Sequence, residues 1–241
     1  MNSEPSTNVN PDLAREWNLA VIVGTAGELH GREFPTDGGR YAWFMRPTAK
    51  ALVLGSTQNE KQLNMDAIEA DGVELVKRRS GGGAVLVLPE AVTWLDLVIP
   101  VGDPWWVDDV GQAMYPVGEL WRQALETLGV YTTVHRGALM STGWSREVCF
   151  AGIGSGEVLA ADGRKLVGIS QRRTRYGARF QTIMYHHDTS NDLLRYFNAS
   201  ADEANSLIQV LTGTTSYRAL DQKRLADALK HVLRRSGDGN R

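Results

Sequence analysis

The nine residues Lys77-Arg78-Arg79-Ser80-Gly81-Gly82-Gly83-Ala84-Val85 are the stretch of this sequence best suited to chemistry. Glycine loses more backbone entropy on folding than any other residue, so three in a row are costly. In return the backbone can approach a ligand closely and point successive N–H groups at it, and such concavities hold anions. Three cations stand directly before the glycines. A carboxylate or a phosphate is the guest these residues suit. A flexible β-turn beside a surface basic cluster is the other reading of the same residues.

A second chemical feature is Lys165. Asp162-Gly163 is a two-residue hairpin signal. With the turn there, Lys165, Val167 and Ile169 point to one face, and Arg164, Leu166 and Gly168 to the other. The expected neighbour of Lys165 across the hairpin is the small Ala160. A lysine on an apolar face needs an anion or a route to water, because burying an unpaired charge is expensive. A sheet-edge lysine that snorkels outward is the alternative.

The elements that must position these groups can be read in order. Pro11 to about Leu29 has near-helical apolar spacing. Tyr41–Arg46 and Ala51–Gly55 read as strands joined around Pro47. Asn64 caps a short helix through Glu69, which Asp71-Gly72 ends. Strands at Val73–Val76 and Ala84–Leu88 flank the glycine loop, and Thr93–Ile99 is another. Asp108 or Asp109 caps a helix that carries Val117, Leu120, Trp121, Ala124, Leu125 and Leu128 on one face and ends at Gly129. A second β section follows at 131–135, 148–152, 158–161, 164–170 and 179–185. The chain then turns helical at 190–197, 201–211 and 220–235.

Strands and helices are interspersed without strict βα alternation. The expected fold is therefore α+β, a single domain with a mixed, largely antiparallel sheet flanked by helices. Its span is 12–235, with loose tails at 1–11 and 236–241. The net charge of −2 leaves no global basic field for nucleic acid. No apolar run approaches the length of a membrane span. The start lacks the pattern of a signal peptide, and Cys149, the single cysteine, cannot form an intrachain disulfide. A reducing, cytoplasmic location is the expectation.

The glycine motif Lys77–Val85, followed by Gly163-Arg164-Lys165-Leu166-Val167-Gly168-Ile169-Ser170-Gln171-Arg172-Arg173, resembles the lipoate–protein ligase and octanoyltransferase catalytic domain. Leu54-Gly55-Ser56-Thr57-Gln58-Asn59, Asn64 before a short helix, and Tyr185-His186-His187-Asp188 support it, so the likeness spans about residues 12–200. Biotin–protein ligases share that fold. The resemblance implies an enzyme that leaves a lipoyl or octanoyl group on a lysine of a lipoyl carrier domain, as in 2-oxoacid dehydrogenases or the glycine cleavage protein. Arg79, Ser80, Gly81, Gly82, Gly83, Ala84 and Val85 would line the acyl and adenylate site. Lys165 would hold the oxygen of the activated acyl group, where a compact ammonium suits developing negative charge. Val85, Val167 and Ile169 would wall the acyl chain beside Gly168, and Gln58, Asn59 and His187 would stand at the rim. His187 could equally be a structural histidine.

The resemblance carries two mechanisms. A ligase makes acyl-AMP from the free acid with ATP and Mg²⁺, and the triple glycine resembles that pattern. A transferase needs no such cofactor and takes octanoyl from acyl carrier protein through a cysteine thioester. Cys149, sixteen residues before Lys165, is close to where some octanoyltransferases keep that nucleophile, although a buried strand residue is the usual fate of a lone cysteine. The sequence departs from the ligases in reading Gly156-Glu157 where Asn-Asp is usual and Val87-Leu88 where His-Asp is usual. Glu157 could keep the metal- and nucleotide-binding carboxylate, with Gly82 and Gly83 on the phosphate. About 40 residues follow the core, too few for the C-terminal accessory domain that ligases often carry, so a ligase here would either lack that domain or take one from a separate chain. The leading expectation is the acyl-AMP ligase. The alternatives are the Cys149 transferase and a non-catalytic acyl or adenylate binding protein.

Overall fold

The computed structural model describes residues 16–237. In chain order the strands are β1 (Trp17–Gly24), β2 (Arg40–Pro47), β3 (Ala51–Leu54), β4 (Glu74–Lys77), β5 (Val85–Val87), β6 (Val92–Pro100), β7 (Thr132–Val134), β8 (Val158–Ala160), β9 (Lys165–Thr174) and β10 (Gly177–Tyr185). The helices are α1 (Ala26–Gly31), α2 (Met65–Ala70), α3 (Met114–Thr127), α4 (Ser190–Leu194), α5 (Ala201–Thr214) and α6 (Gln222–Gly237). Seven strands form one mixed, mostly antiparallel sheet in the order β1-β2-β6-β10-β9-β8-β7, and β4-β3-β5 form a second. The expected α+β class with a mixed sheet flanked by helices is therefore present, with the strands divided between two sheets.

Two apolar layers result. One fills the space between the sheets, with Val53, Val85, Val87, Trp94, Phe150 and Tyr185 among its members. The other lies between the large sheet and helices α3 and α6, and holds Leu97, Trp121, Leu125, Val167, Ile169 and Leu229. Trp121 Nε1 donates to Thr182 Oγ1 at 2.9 Å, so α3 is pinned to β10 by a polar contact inside that layer.

Four local expectations are corrected. The helix expected up to Leu29 is a strand followed by a short helix, as far as the described residues reach. Val21-Ile22-Val23 is a β-branched run that loses side-chain freedom in a helix and packs well on a pleated sheet, and it pairs in parallel with β2. Thr25 then opens α1 with a capping box. The helix expected after Asp108 or Asp109 is capped by neither. Asp109 Oδ1 instead accepts from Gln112 N, and α3 begins at Met114 without a side-chain cap.

The strand expected at 148–152 is a single 3-10 turn at Cys149–Ala151. Finally, the hairpin turn is one residue longer than Asp162-Gly163 alone. Ala160 N donates to Arg164 O, so the loop is Ala161-Asp162-Gly163, and Leu159 rather than Ala160 stands opposite Lys165. At the other end of the domain, α6 runs on through Ser236 and Gly237, and residues 1–11 and 238–241 lie outside the described residues.

Candidate active site

An irregularity just beyond the hairpin loop has a chemical result. Val158 pairs with Val167 and Leu159 with Lys165, so β9 carries a bulge between them. An extra residue flips the side-chain alternation beyond it. Val167 and Ile169 therefore belong to the helix-side layer. They do not share a face with Lys165, and they cannot wall a chain held between the sheets. Lys165 instead shares a side with Gly168: its Nζ lies over the Phe150 ring, and a Cβ on Gly168 would lie 3.1 Å from the same ring.

Lys165 is almost wholly buried, and its charge is met. Nζ lies 3.0 Å from Glu157 Oε2 and 3.2 Å from Oε1, and donates to Cys149 O at 2.7 Å. The Glu157 carboxylate also accepts from Gly154 N at 2.6 Å and Ile169 N at 3.2 Å. Both oxygens are engaged, so a metal ion at Glu157 would have to displace Lys165. No three His, Cys, Asp or Glu side chains cluster as metal ligands among the described residues.

The glycine loop is closely packed at Gly82 and Gly83. Ala84 N donates to Glu147 O, and Cys149 N donates to Ala84 O, so the loop's end runs beside Val148. A Cβ on Gly83 would lie 2.5 Å from the Val148 carbonyl carbon, and one on Gly55 would lie 1.8 Å from Gly82 O. Gly82 has φ +102, a left-handed conformation that favours glycine. Gly81 has open space where a Cβ would be. The N–H groups of Gly81, Gly82 and Gly83 have no acceptor among the described residues. Three consecutive free donors form the anion-binding concavity that the glycines suggest.

Arg78 lies beneath this loop. It is 6% exposed, and its Nη2 donates to Gly81 O at 2.8 Å and Gly83 O at 3.1 Å. Its Nε has no hydrogen-bond partner, and no carboxylate pairs with it among the described residues. A Cβ on Gly82 would lie 2.7 Å from Arg78 Nη2 and 3.9 Å from Cys149 Sγ. Guanidinium and thiol thus converge on Gly82. Cys149 is partly exposed and its backbone is held at both ends, by Ala84 O and by Lys165.

A small cavity opens between the two sheets. Val53, Val85, Val87, Trp94 and Ile183 give it apolar walls, and Arg78, His30, Ser170, Gln181 and Thr182 give it polar ones. Ser80 is buried and donates to Gln181 Oε1 at 3.0 Å. Gln181 Nε2 in turn donates to His30 Nδ1 at 2.8 Å. Burial, then the positive charges of Arg78 and Arg179, pull the His30 imidazole down to about 3. It is therefore neutral at ordinary pH, with Nδ1 free to accept.

The remaining expected residues are placed as follows. Arg79 is half-exposed, 3.6 Å from Glu33. Gln58 staples the loop's approach: its Oε1 accepts from Gly55 N, and its Nε2 donates to Arg146 O and Glu147 O. Asn59 caps the 3-10 turn Glu60–Gln62. Both residues line an open groove that ends at Gly82. His187 is exposed and does not line the cavity, whereas its neighbour His186 is buried between Thr93 Oγ1 and Arg218 O. Sequence reasoning missed His30, Trp94 and Gln181, and left Arg78 outside the site although it belongs to the glycine motif. His30 was read as following a long helix, and nothing local signals that α1 folds back over the sheet.

Comparison with known proteins places this arrangement of two packed layers, glycine loop and inter-sheet cavity. The family model described as the lipoyl protein ligase A/B catalytic domain matches residues 31–226, and the chain belongs to that family. It is an enzyme of the lipoate ligase or transferase type. Solved structures share its fold at low identity. A bi-partite lipoate protein ligase from Thermoplasma acidophilum, described with its E2 lipoyl domain, is 16% identical over 92% of this chain and 83% of its own, with TM-score 0.69. The T. acidophilum protein Ta0514 with bound lipoic acid is 16% identical over 90% and 94%, with TM-score 0.58. A lipoate-protein ligase A bound with ATP is 15% identical over 90% and 94%, also at 0.58. No curated protein matches the sequence.

Proposed function

We propose that this enzyme moves a lipoyl- or octanoyl-type acyl group onto a lysine of a lipoyl carrier domain by way of a thioester on Cys149. The observation that carries this reading is the approach of the Cys149 thiol to Gly82, where a Cβ would lie 3.9 Å from Sγ, in a loop whose amides have no acceptor among the described residues. A nucleophile beside preorganised N–H donors is the arrangement that acyl transfer needs, because the donors meet the charge that develops on the carbonyl oxygen. The Cys149 sulfur attacks the carbonyl of a thioester donor such as octanoyl–acyl carrier protein. A C–S bond forms, the donor's C–S bond breaks, and the cysteine proton leaves with the donor thiol. The carrier lysine then attacks as a free amine. A C–N bond forms, the C–S bond to Cys149 breaks, and the amine proton goes to the departing Cys149 sulfur. Lys165 serves by fixing the turn that carries Cys149, since its donors are spent on Glu157 and on the Cys149 carbonyl.

A second reading, the ligase that uses free acid with ATP and Mg²⁺, is favoured by Arg78. A buried guanidinium with no counter-ion among the described residues suits a free carboxylate. Against it stands the commitment of Glu157 to Lys165. The acceptor in both readings is a lipoyl carrier domain of a 2-oxoacid dehydrogenase or of the glycine cleavage protein. Acyl carrier protein is the donor in the first.

The test is to incubate the protein with apo carrier domain and either octanoyl–acyl carrier protein or lipoate with ATP and Mg²⁺, and to weigh every product. An acyl adduct on Cys149, an acylated carrier, and loss of both in Cys149→Ala are expected. Carrier modified only with ATP present, and undiminished in Cys149→Ala, would overturn the thioester route in favour of the ligase.

A further inference from the structure

We propose that His30 sets the length of acyl chain that this enzyme accepts. The proposal rests on the acyl transfer proposed above and takes the inter-sheet cavity as the acyl site. Arg78 lines that cavity and donates to Gly81 O and Gly83 O, so the cavity adjoins the glycine loop. On the large sheet Ile183, which also lines it, pairs with Gly168 of β9. Two residues further along β9, Ser170 pairs with Gln181, roughly 7 Å away at the rise of a strand. His30 meets the sheet at this second position.

Three contacts make His30 a fixed wall rather than a loose side chain. Its ring stacks on Trp94 at 4.6 Å between centroids. Its Nδ1 accepts from Gln181, which is itself held by Ser80 of the glycine loop. The helix end behind it is locked, because Arg179 donates to the carbonyls of Leu29, His30 and Arg32 while paired with the buried Asp96. Val53, Val85 and Val87 line the cavity from the other sheet. An acyl chain that starts at the glycine loop and follows these valines meets the imidazole edge. Extending it would push the imidazole off Trp94 and leave Gln181 without its acceptor, and an unmet buried polar group is costly.

The neutral ring also suits the task. A charged imidazolium would carry water and repel Arg78, whereas the neutral ring offers an apolar face to an acyl tail. Removing the ring opens space between α1 and Trp94 without touching the loop amides, Cys149 or Lys165.

The experiment is a competition between octanoyl and dodecanoyl donors, read as the ratio of the two adducts on Cys149 in the intact protein. Octanoyl is expected to dominate in the wild type. His30→Ala is expected to raise the dodecanoyl-to-octanoyl ratio by about tenfold or more, the scale on which hydrophobic pockets discriminate added methylenes. His30→Phe keeps a ring over Trp94 and is expected to keep the wild-type ratio. If His30→Ala does not fold, His30→Asn, smaller and still able to meet Gln181, gives the same readout. An unchanged ratio in the folded Ala or Asn variant overturns the proposal. Absence of any adduct on the wild type with either donor overturns the reading of the site itself, which separates the two failures.

Discussion

Lys165 Nζ and Glu157 Oε2 lie 3.0 Å apart with their side chains 1% and 5% exposed. The same ammonium holds the Cys149 carbonyl, and Glu157 is itself held by two backbone N–H groups. Glu157, Lys165 and the Cys149 turn therefore form a chain of contacts. A lysine that might have been a free clamp for an acyl oxygen is anchored as part of the scaffold that aims the cysteine.

Removing one partner of that pair leaves a buried charge unmet, which costs about 3–5 kcal/mol, whereas replacing both with apolar groups of similar volume is often neutral. Glu157→Leu alone is thus expected to lower the urea midpoint strongly. The double variant Glu157→Leu with Lys165→Met should recover most of that loss. Acyl transfer should stay low in both, because the Cys149 carbonyl has lost its donor. A single variant as stable as wild type would show that the pair does not carry this load.

Much of this was legible before the coordinates. The glycine motif and the Gly163–Ser170 segment were found by residue type and spacing, and Asn64 is the helix cap it was expected to be, accepting from Ala67 N. What failed was register. One extra loop residue put Leu159 opposite Lys165, and a bulge between Lys165 and Val167 set Lys165 on the other face from Val167 and Ile169; no propensity separates a two-residue turn from a three-residue one when both contain Asp-Gly. The 3-10 turn at Cys149 was equally hidden, since its shape is imposed by distant partners: Ala84, Lys165, and the Thr214 hydroxyl on Phe150 O.

The three loop glycines should respond unequally to an added methyl group. Gly83→Ala places a Cβ against the Val148 backbone and is expected to destabilise by roughly 1–3 kcal/mol, the usual cost of overpacking, while shifting Cys149. Gly81→Ala meets open space and should fall within about 0.5 kcal/mol of wild type. Because that methyl stands beside the free amides, KM for the acyl donor should rise. Thermal denaturation with transfer kinetics tests both, and equal stability of the two variants would contradict the close approach of loop and turn.

His30 gives the protein an acid-sensitive stability. Folded His30 stays neutral down to about pH 3, while the unfolded side chain takes up its proton near the ordinary value of 6.5. The unfolded state therefore binds more protons across that window, and stability rises with pH there. The contribution is present above pH 6.5 and is lost as the pH falls toward 3. His186 is shifted the same way by burial, so the wild type alone is not diagnostic. His30→Phe should lose stability less steeply than wild type between pH 6.5 and 4, measured by urea titration at each pH. Parallel curves would contradict the burial of the neutral ring.

Arg78 separates the two routes to the acyl group. Its Nε lacks a partner, and its Nη2 is engaged only with loop carbonyls. A carboxylate reaching the cavity would meet this guanidinium and supply the missing charge. If free acid is a substrate, octanoate or lipoate should stabilise the wild type on its own, by about 2.7 kcal/mol at a hundredfold excess over Kd. Arg78→Gln should abolish that shift, and the methyl ester of the acid should not produce it. A thioester enzyme predicts the reverse ranking: little shift from the free acid, and a larger one from an octanoyl thioester that cannot turn over on Cys149→Ala. Thermal shift with acid, ester and thioester on wild type, Arg78→Gln and Cys149→Ala therefore assigns Arg78. A shift from free acid that survives in Arg78→Gln would remove it from the binding site altogether.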